Sequence, residues 1–129
     1  MRSSFRRLLL LSIPLLAIAG TATAAPPADM PGGPLADCVN LGADHEAFRY
    51  ANQALLVADG DSHYKLSFGS GCDALMAASS VDITTDGQAN RLCPTGSRVS
   101  ARTYSCYVRH VQRISADEYA GYQRKARTR

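Results

Sequence analysis

Alternating hydrophobic and polar positions in the middle of the chain predict β-strands joined by tight turns. The clearest alternation is Tyr64, Leu66 and Phe68, which are separated by polar residues and would face a core from one side of a strand. The apolar run before it ends at Asp59-Gly60, a dipeptide that favours two-residue hairpin turns. This region therefore predicts a β-hairpin.

Similar patterns continue toward the C-terminus. The segment SVDITT predicts a short strand, and Asp86-Gly87 after it predicts a second hairpin. SRVSA and YSCYVRHVQRI predict the last two strands, with a turn near Ala101-Arg102 that would place Cys106 opposite Ser97. Short strands with glycine-rich turns predict a mainly β fold, a small antiparallel barrel or sandwich that covers residues 37–115.

The strand pattern gives way to a helical one after residue 115. Ser115 and Glu118 have the spacing of a capping box, in which each residue satisfies a free amide of the first helical turn. Basic residues follow at the far end, where the helix dipole favours cations. We expect a short C-terminal helix over about Ala116–Lys125, within a C-terminal segment 116–129 that ends as a basic tail.

The N-terminus has the features of a secretory signal peptide. Arginines at positions 2, 6 and 7 precede an apolar run at residues 8–20, and Ala22 and Ala24 follow as small residues. The run is shorter than the roughly 20 residues of a membrane span, and Pro14 interrupts it. We expect residues 1–24 to be cleaved, which leaves a periplasmic or secreted chain with no transmembrane span.

Composition and charge change along the exported part. Residues 25–36 are rich in Pro and Gly and predict a disordered leader. Three basic and nine acidic residues lie between Ala25 and Ser97, whereas eight basic and two acidic residues follow from Arg98 onward. The C-terminal quarter is therefore the basic part of the chain.

Four cysteines, Cys38, Cys72, Cys93 and Cys106, predict two disulfides in an exported domain of this size. The sequence contains no C-x-x-C pair, the spacing that would indicate a zinc or redox site. Three pairings are possible. The predicted hairpin register argues against joining Cys93 to Cys106, and we favour the nested pairs Cys38–Cys106 and Cys72–Cys93.

The four cysteines and the segments QALLVADGDSHYKLSF, RLCPTGSRV and SCYVRHVQRIS are the basis of a resemblance to known proteins. The chain resembles a family of small exported bacterial proteins that have four cysteines and a domain of unknown function. The resemblance covers about residues 37–115. That family usually has an acidic residue where Ser97 stands here. The resemblance implies a disulfide-bonded β domain and supplies no activity.

Catalytic and metal-binding patterns are weak. Asp44, His45 and Glu46 are consecutive, so on a strand their side chains would alternate between faces and would not converge. There is no G-x-S-x-G motif around a serine. We expect no catalytic residue, cofactor or metal, and we expect the chain not to be an enzyme.

Tyrosines and basic residues near the C-terminus form the predicted binding surface, because aromatic rings beside cations bind sugars or nucleic acids by stacking. The residues are Tyr104, Tyr107, Arg109, Arg113, Arg124 and Lys125. A structural role, in which the tyrosines cap a small core, is the alternative. The exported location argues against nucleic acid as the partner.

The predicted function is therefore a non-catalytic module that binds an envelope component or another protein. The basic C-terminal segment would dock on an anionic envelope surface or an acidic protein. An alternative is an inhibitor of an exogenous hydrolase, of the protease or lysozyme type, that presents the loop SGCDALM around Cys72 as a rigid element. A thiol or metal enzyme is the third possibility.

Overall fold

The computed structural model describes residues 32–129. The predicted signal peptide and leader residues 25–31 lie outside the described residues. The elements are β1 (Val39–Asn40), β2 (Glu46–Tyr50), β3 (Ala54–Asp59), β4 (Ser62–Ser67), a 3-10 helix (Asp73–Ala77), β5 (Asp82–Thr85), β6 (Gln88–Ala89), β7 (Arg91–Leu92), β8 (Ser97–Ala101), β9 (Tyr104–Tyr107), β10 (His110–Ile114) and α1 (Ala116–Arg127).

The first antiparallel sheet has the strand order β10-β4-β3-β2. Its central hairpin joins β3 to β4, with Asp59 opposite Ser62 across a two-residue turn. Gly60 in that turn has a φ of 57°, which glycine adopts without steric cost. The predicted hairpin is confirmed, and Tyr64, Leu66 and Phe68 are all buried, as the alternation requires.

The second antiparallel sheet has the strand order β6-β5-β8-β9. Asp86 and Gly87 form the two-residue turn between β5 and β6, with φ values of 52° and 76°. Two successive positive φ values match the right-handed twist of the flanking strands. The second predicted hairpin is therefore confirmed, and β1 pairs with β7 as a separate two-stranded ribbon.

The main core lies between the two four-stranded sheets. Leu55 and Leu66 from the first sheet and Ile83 and Val99 from the second belong to one buried cluster. Such an arrangement is a sandwich, in which the inward side chains of both sheets share one core. The mainly β fold is confirmed, and residues 32–129 contain no closed barrel.

Helix α1 covers the opposite face of the first sheet. The amide of Glu118 donates to Ser115 Oγ at 3.1 Å, so Ser115 caps the helix as predicted. Tyr119 packs edge-on against Phe48 with ring centroids 5.3 Å apart and is buried with Ile114. The helix extends two residues beyond the predicted end at Lys125.

The segment YSCYVRHVQRI does not form one strand, contrary to the prediction. It divides into β9 and β10, which belong to different sheets. The amide of Val108 still donates to Ser97 in the second sheet, at 2.9 Å, whereas the amide of Arg109 donates to Ser67 in the first, at 2.8 Å. The chain therefore crosses between the sheets here, and Cys106 pairs with Val99 rather than Ser97.

The disulfides are Cys38–Cys93 and Cys72–Cys106, with Cα separations of 4.0 and 6.0 Å. The predicted nested pairing of Cys38 with Cys106 and Cys72 with Cys93 is wrong. Pairing of β1 with β7 carries Cys38 directly opposite Cys93. The 3-10 helix that follows Cys72 contacts β9, and this contact brings Cys72 to Cys106.

Part of the predicted disordered leader is ordered. The amide of Leu35 donates to Val111 O at 2.9 Å, and Pro34 forms a bridge with Gln112. Leu35 is 7 % exposed and belongs to the main core. The folded domain therefore includes residues 32–35, ahead of the predicted boundary at residue 37, because this segment pairs with the outer edge of β10.

Candidate binding cleft

The residues of the predicted binding surface do not form one surface. Tyr104 and Tyr107 lie on β9 of the second sheet, and Arg109 lies where the chain crosses between the sheets. Arg113 is on β10; its guanidinium donates to Ser62 Oγ at 3.1 Å and lies 5.9 Å from the centre of a core tyrosine ring.

Arg124 and Lys125, which complete the predicted surface, lie on α1 and are exposed. Lys125, 5.9 Å from the centre of the Tyr122 ring, lies next to a different cleft. This cleft is formed by the helix face of the first sheet and the end of α1. Its volume is about 530 Å³, within the range of small-ligand sites. We call it the tyrosine cleft, lined by Tyr50, Asn52, Gln53, Ala54, Lys65, Ser67, Phe68, Gly69, Ser70, Gly71 and Tyr122.

Two tyrosines form the aromatic part of the tyrosine cleft. Tyr50 is the last residue of β2, and Tyr122 lies on α1 one turn after the buried Tyr119. Their rings meet edge to face, with centroids 5.0 Å apart and an interplanar angle of 74°. This is a favourable arrangement of aromatic quadrupoles, and it holds both rings at the cleft wall.

Lys65 supplies the positive charge within the cleft. Because Tyr64 and Leu66 point into the core, strand alternation directs Lys65 to the helix face of the sheet. Its ammonium group donates to the Tyr122 hydroxyl at 2.8 Å and lies 5.0 Å from that ring's centre. A lysine ammonium has three donors, so this hydrogen bond leaves donors for a ligand.

Two more cations stand over the same aromatic rings. Lys125 Nζ lies 5.9 Å from the centre of the Tyr122 ring, and the Arg129 guanidinium lies 4.9 Å from that of Tyr50. Among residues 32–129, no carboxylate forms an ion pair with either of them or with Lys65. The nearby Asp73 carboxylate accepts a hydrogen bond from Asn52 at 2.7 Å. Glu118 lies near Tyr122 and Lys125 as well, so three cations face two carboxylates around the cleft, and the sum of these charges is positive.

Backbone hydrogen bonds fix the wall opposite the helix. The carbonyl of Asn52 accepts from the amide of Cys72 at 2.6 Å, and the amide of Phe68 donates to Gln53 at 3.0 Å. Gly71 has a φ of 88°, and a Cβ there would lie 3.0 Å from the Asn52 side chain. The wall thus requires glycine at this position, and the disulfide at Cys72 anchors it to the second sheet.

Tyr50 and Tyr122 were absent from the predicted surface. Tyr122 follows Tyr119 by three residues, a spacing that places both on one side of a helix. Strand alternation likewise places Tyr50 on the same side of β2 as Phe48. Those two patterns indicate aromatic faces, but only the packing of α1 on the sheet brings the faces together.

The consecutive Asp44, His45 and Glu46 do not form a cluster. His45 Nδ1 lies 2.7 Å from the carbonyl oxygen of Gly42, and Glu46 begins β2. The part of the chain that the structure describes contains no group of three His, Cys, Asp or Glu residues close enough to hold a metal ion. It contains no free cysteine either.

Tyr119 is a buried titratable residue whose pKa lies above its usual range. Burial raises its pKa above 10.0, and the charge of Glu46 raises it further. Tyr119 packs against Phe48 and His63 beneath the helix, with the His63 ring 4.8 Å away. This environment is a packing site between helix and sheet.

The loop SGCDALM, considered as an inhibitory element, folds into the 3-10 helix. Leu75 is fully buried, whereas Met76 is 59 % exposed. The Arg49 guanidinium donates to the carbonyl of Leu75, and Cys72 bonds to Cys106. Met76 is therefore presented on a rigid, helical support and not on an extended loop.

No family model, curated protein or solved structure matches this chain. The two disulfides indicate an oxidising, extracytoplasmic compartment. Over residues 32–129, no helix is both long enough and apolar enough to cross a membrane.

Proposed function

We propose that this chain is a non-catalytic binding module of the periplasm or extracellular space, whose tyrosine cleft takes an anionic saccharide of the cell envelope. A sugar that carries a phosphate or a carboxylate has the chemistry the cleft would recognise. The resemblance to small exported four-cysteine proteins supports export, and the predicted signal peptide supplies the route.

The observation that carries the proposal is the position of Lys65. Its ammonium lies in the cleft beside Tyr122, and no carboxylate among the described residues neutralises it. An anionic ligand would supply that counter-charge through charge-assisted hydrogen bonds, which are stronger than neutral ones. Lys125 and Arg129 would add to the attraction at longer range.

The rest of the lining favours a hydroxyl-bearing ligand over an apolar one. The side chains of Asn52, Gln53 and Ser67 provide amide and hydroxyl groups at the cleft wall. Such groups both donate and accept hydrogen bonds, as sugar hydroxyls do. The rings of Tyr50 and Tyr122 add apolar surface to the cleft wall, beside the cations that stand over them.

The proposal is tested with glucose 6-phosphate and glucuronate as probes, and with glucose and inorganic phosphate as comparisons. Titrations of the ¹⁵N-labelled oxidised protein would follow the amides of Lys65 and Tyr122. We expect both anionic sugars to shift these amides and glucose to do so weakly. Equal binding of inorganic phosphate and the anionic sugars would mean that the cleft recognises charge alone.

Lys65→Met keeps the length of the side chain and removes its charge. Because hydrogen bonds to charged groups contribute about 1.5–3 kcal/mol, we expect the affinity for the anionic sugars to fall by about 10- to 150-fold. Arg102→Met is the matched control, since Arg102 lies in the β8–β9 turn of the other sheet. Unchanged affinity in Lys65→Met would refute the cleft as the anion site.

The basic end of α1 would also hold the module near an anionic envelope surface or an acidic protein. Arg124 and Lys125 are exposed in the last turns of the helix, and Lys125 lies beside Tyr122 of the tyrosine cleft. Vesicles of phosphatidylglycerol should bind the protein at low salt, and vesicles of phosphatidylcholine should not. If Arg124→Gln/Lys125→Gln bound as well as wild type, this role would be abandoned.

The second candidate function is inhibition of an exogenous protease or lysozyme. It is favoured by Met76, an exposed side chain on a helix that is anchored by a disulfide. A panel of bacterial and host hydrolases should then include one that is inhibited by wild type and not by Met76→Ala. A panel without any inhibited enzyme would count against it.

A further inference from the structure

Strand β9 forms the outer edge of the second sheet. The other three edges of the two four-stranded sheets are covered, very short or charged, whereas the edge at β9 is none of these. Residues 32–35 pair with the outer edge of β10, and β6 has only two residues. The sequence of β2 contains Glu46 and Arg49. Covered, very short and charged edges are common ways in which proteins prevent unwanted strand pairing.

The sequence of β9, Tyr-Ser-Cys-Tyr, has no charged residue and no proline. The amide of Val108 donates to the carbonyl of Ser97, the position opposite it in the β8–β9 register. In an antiparallel pair, hydrogen-bonded positions alternate, so Cys106 and Tyr104 also bond inward. The amide and carbonyl groups of Ser105 and Tyr107 therefore point outward.

These outward backbone groups have no backbone partner within residues 32–129. Ser105 is exposed, and Tyr107 is 62 % exposed. Two residues with outward amides and carbonyls provide two donors and two acceptors, spaced as in a regular strand. This is the arrangement that an added strand requires.

Exposed apolar side chains are concentrated in the same region. Among the described residues, the large exposed hydrophobic side chains are Tyr104, Tyr107 and Met76. The first two are on β9, and Met76 is on the 3-10 helix that contacts β9. The Cys72–Cys106 disulfide fixes these elements to each other, which reduces the entropy lost on binding.

The charges around β9 select the kind of partner. Arg102 precedes the strand and Arg109 follows it; both are exposed and form no ion pair with another described residue. The Arg98 guanidinium lies 4.5 Å from the centre of the Tyr107 ring. A second copy paired on this edge would bring these arginines together, which is unfavourable. An acidic segment would meet them with opposite charge.

We propose that β9 binds an extended, acidic segment of a partner protein as an added strand of the second sheet. The backbone of Ser105 and Tyr107 supplies the hydrogen bonds, and the flanking arginines supply the charge preference. This site lies on a different sheet from the tyrosine cleft, and the inference does not depend on the proposed saccharide ligand.

The test uses the oxidised, ¹⁵N-labelled protein and two capped peptides, one of alternating valine and glutamate and one of alternating valine and lysine. Hydrogen exchange at the amides of Ser105 and Tyr107 is the readout. We expect the glutamate peptide to slow both exchange rates by about tenfold or more and the lysine peptide to leave them unchanged.

Ser105→Pro removes an outward amide without removing a bond to β8, and proline is tolerated at such edge positions. It should abolish the effect, while the matched variant Ser105→Thr should retain it. If the proline variant does not fold, Arg102→Glu/Arg109→Glu provides the second test. It should reverse the preference so that the lysine peptide is bound.

Three results would overturn the inference. One is the absence of any change at Ser105 and Tyr107 with millimolar glutamate peptide. Another is equal protection by the two peptides in the wild-type protein. The third is slower exchange at these amides in the absence of peptide, if it increases with protein concentration and is lost in Ser105→Pro. That result would assign the edge to a second copy of the chain.

Discussion

Replacing Cys72 and Cys106 together by alanine should remove a large part of the stability of this domain. The two cysteines are 34 residues apart in sequence, and closing a loop of that size lowers the entropy of the unfolded chain. In the chain-entropy model the contribution is about 3.8 kcal/mol at 25 °C. Since small domains are stable by about 5–15 kcal/mol, the variant should lie close to its unfolding threshold.

The other disulfide provides the matched comparison. Cys38 and Cys93 are 55 residues apart, which gives about 4.2 kcal/mol in the same model. The two values differ little because the entropy depends on the logarithm of loop length. We therefore expect Cys38→Ala/Cys93→Ala to be destabilised to a similar extent, although its loop is much longer.

Urea unfolding, followed by far-ultraviolet circular dichroism, measures both losses as a change in midpoint with the slope checked for each variant. The pairing itself is tested by trypsin without reduction. Arg91 and Arg98 are cleavage sites on either side of Cys93. The short peptide carrying Cys93 should be linked to the peptide carrying Cys38.

A loss below about 1 kcal/mol for Cys72→Ala/Cys106→Ala would refute loop closure as the source of stability. It would show that the unfolded chain is not expanded enough for the crosslink to restrict it. Recovery of the Cys93 peptide linked to that of Cys72 would refute the pairing, and with it the contact between the 3-10 helix and β9.

Three further substitutions test the packing of the helix and the core. Because burial raises the pKa of Tyr119 above 10.0, its stabilising contribution is complete below pH 10 and is lost as pH rises further. Tyr119→Phe should therefore reduce the loss of folding stability at alkaline pH. Tyr104→Phe, at an exposed site, should not reduce it. Ser97 Oγ accepts from the buried amide of Cys93 at 2.8 Å, so Ser97→Ala should cost about 1–3 kcal/mol in urea unfolding, and a loss near zero would show that the amide finds another partner. Ser115→Ala should lower the free energy of unfolding by about 1 kcal/mol through loss of the helix cap. Ser115→Asp should retain most of that stability, because aspartate also caps helices. Equal losses in both variants would exclude capping as the cause.

Local patterns in the sequence determined the hairpins and the helix start. Asp86-Gly87 forms its hairpin turn as predicted, and the other turn is Gly60-Asp61, one residue later than the predicted Asp59-Gly60. Both were predictable because the backbone preferences of these residues act over only a few positions. The cap at Ser115 was predictable for the same reason. The alternation around Leu66 was sufficient to assign its strand and its buried face.

The sequence also determined the number of disulfides and the basic character of the C-terminal quarter, but not their arrangement in space. The pairing of Cys38 with Cys93 depends on contact between β1 and β7, two strands of two residues each. Segments this short have no periodicity that can be recognised. The predicted β8–β9 register was also wrong, so that Cys106 was expected opposite Ser97 and lies opposite Val99.

Only the tertiary structure decided how distant segments meet. Tyr50, Lys65 and Tyr122 are far apart in the chain, and they form one cleft because α1 packs on the first sheet. The division of YSCYVRHVQRI between two sheets likewise depends on hydrogen bonds to Ser97 and Ser67. Turn and capping preferences are local energies that a short sequence contains, whereas the choice of sheet partner depends on burying apolar surface across the whole domain.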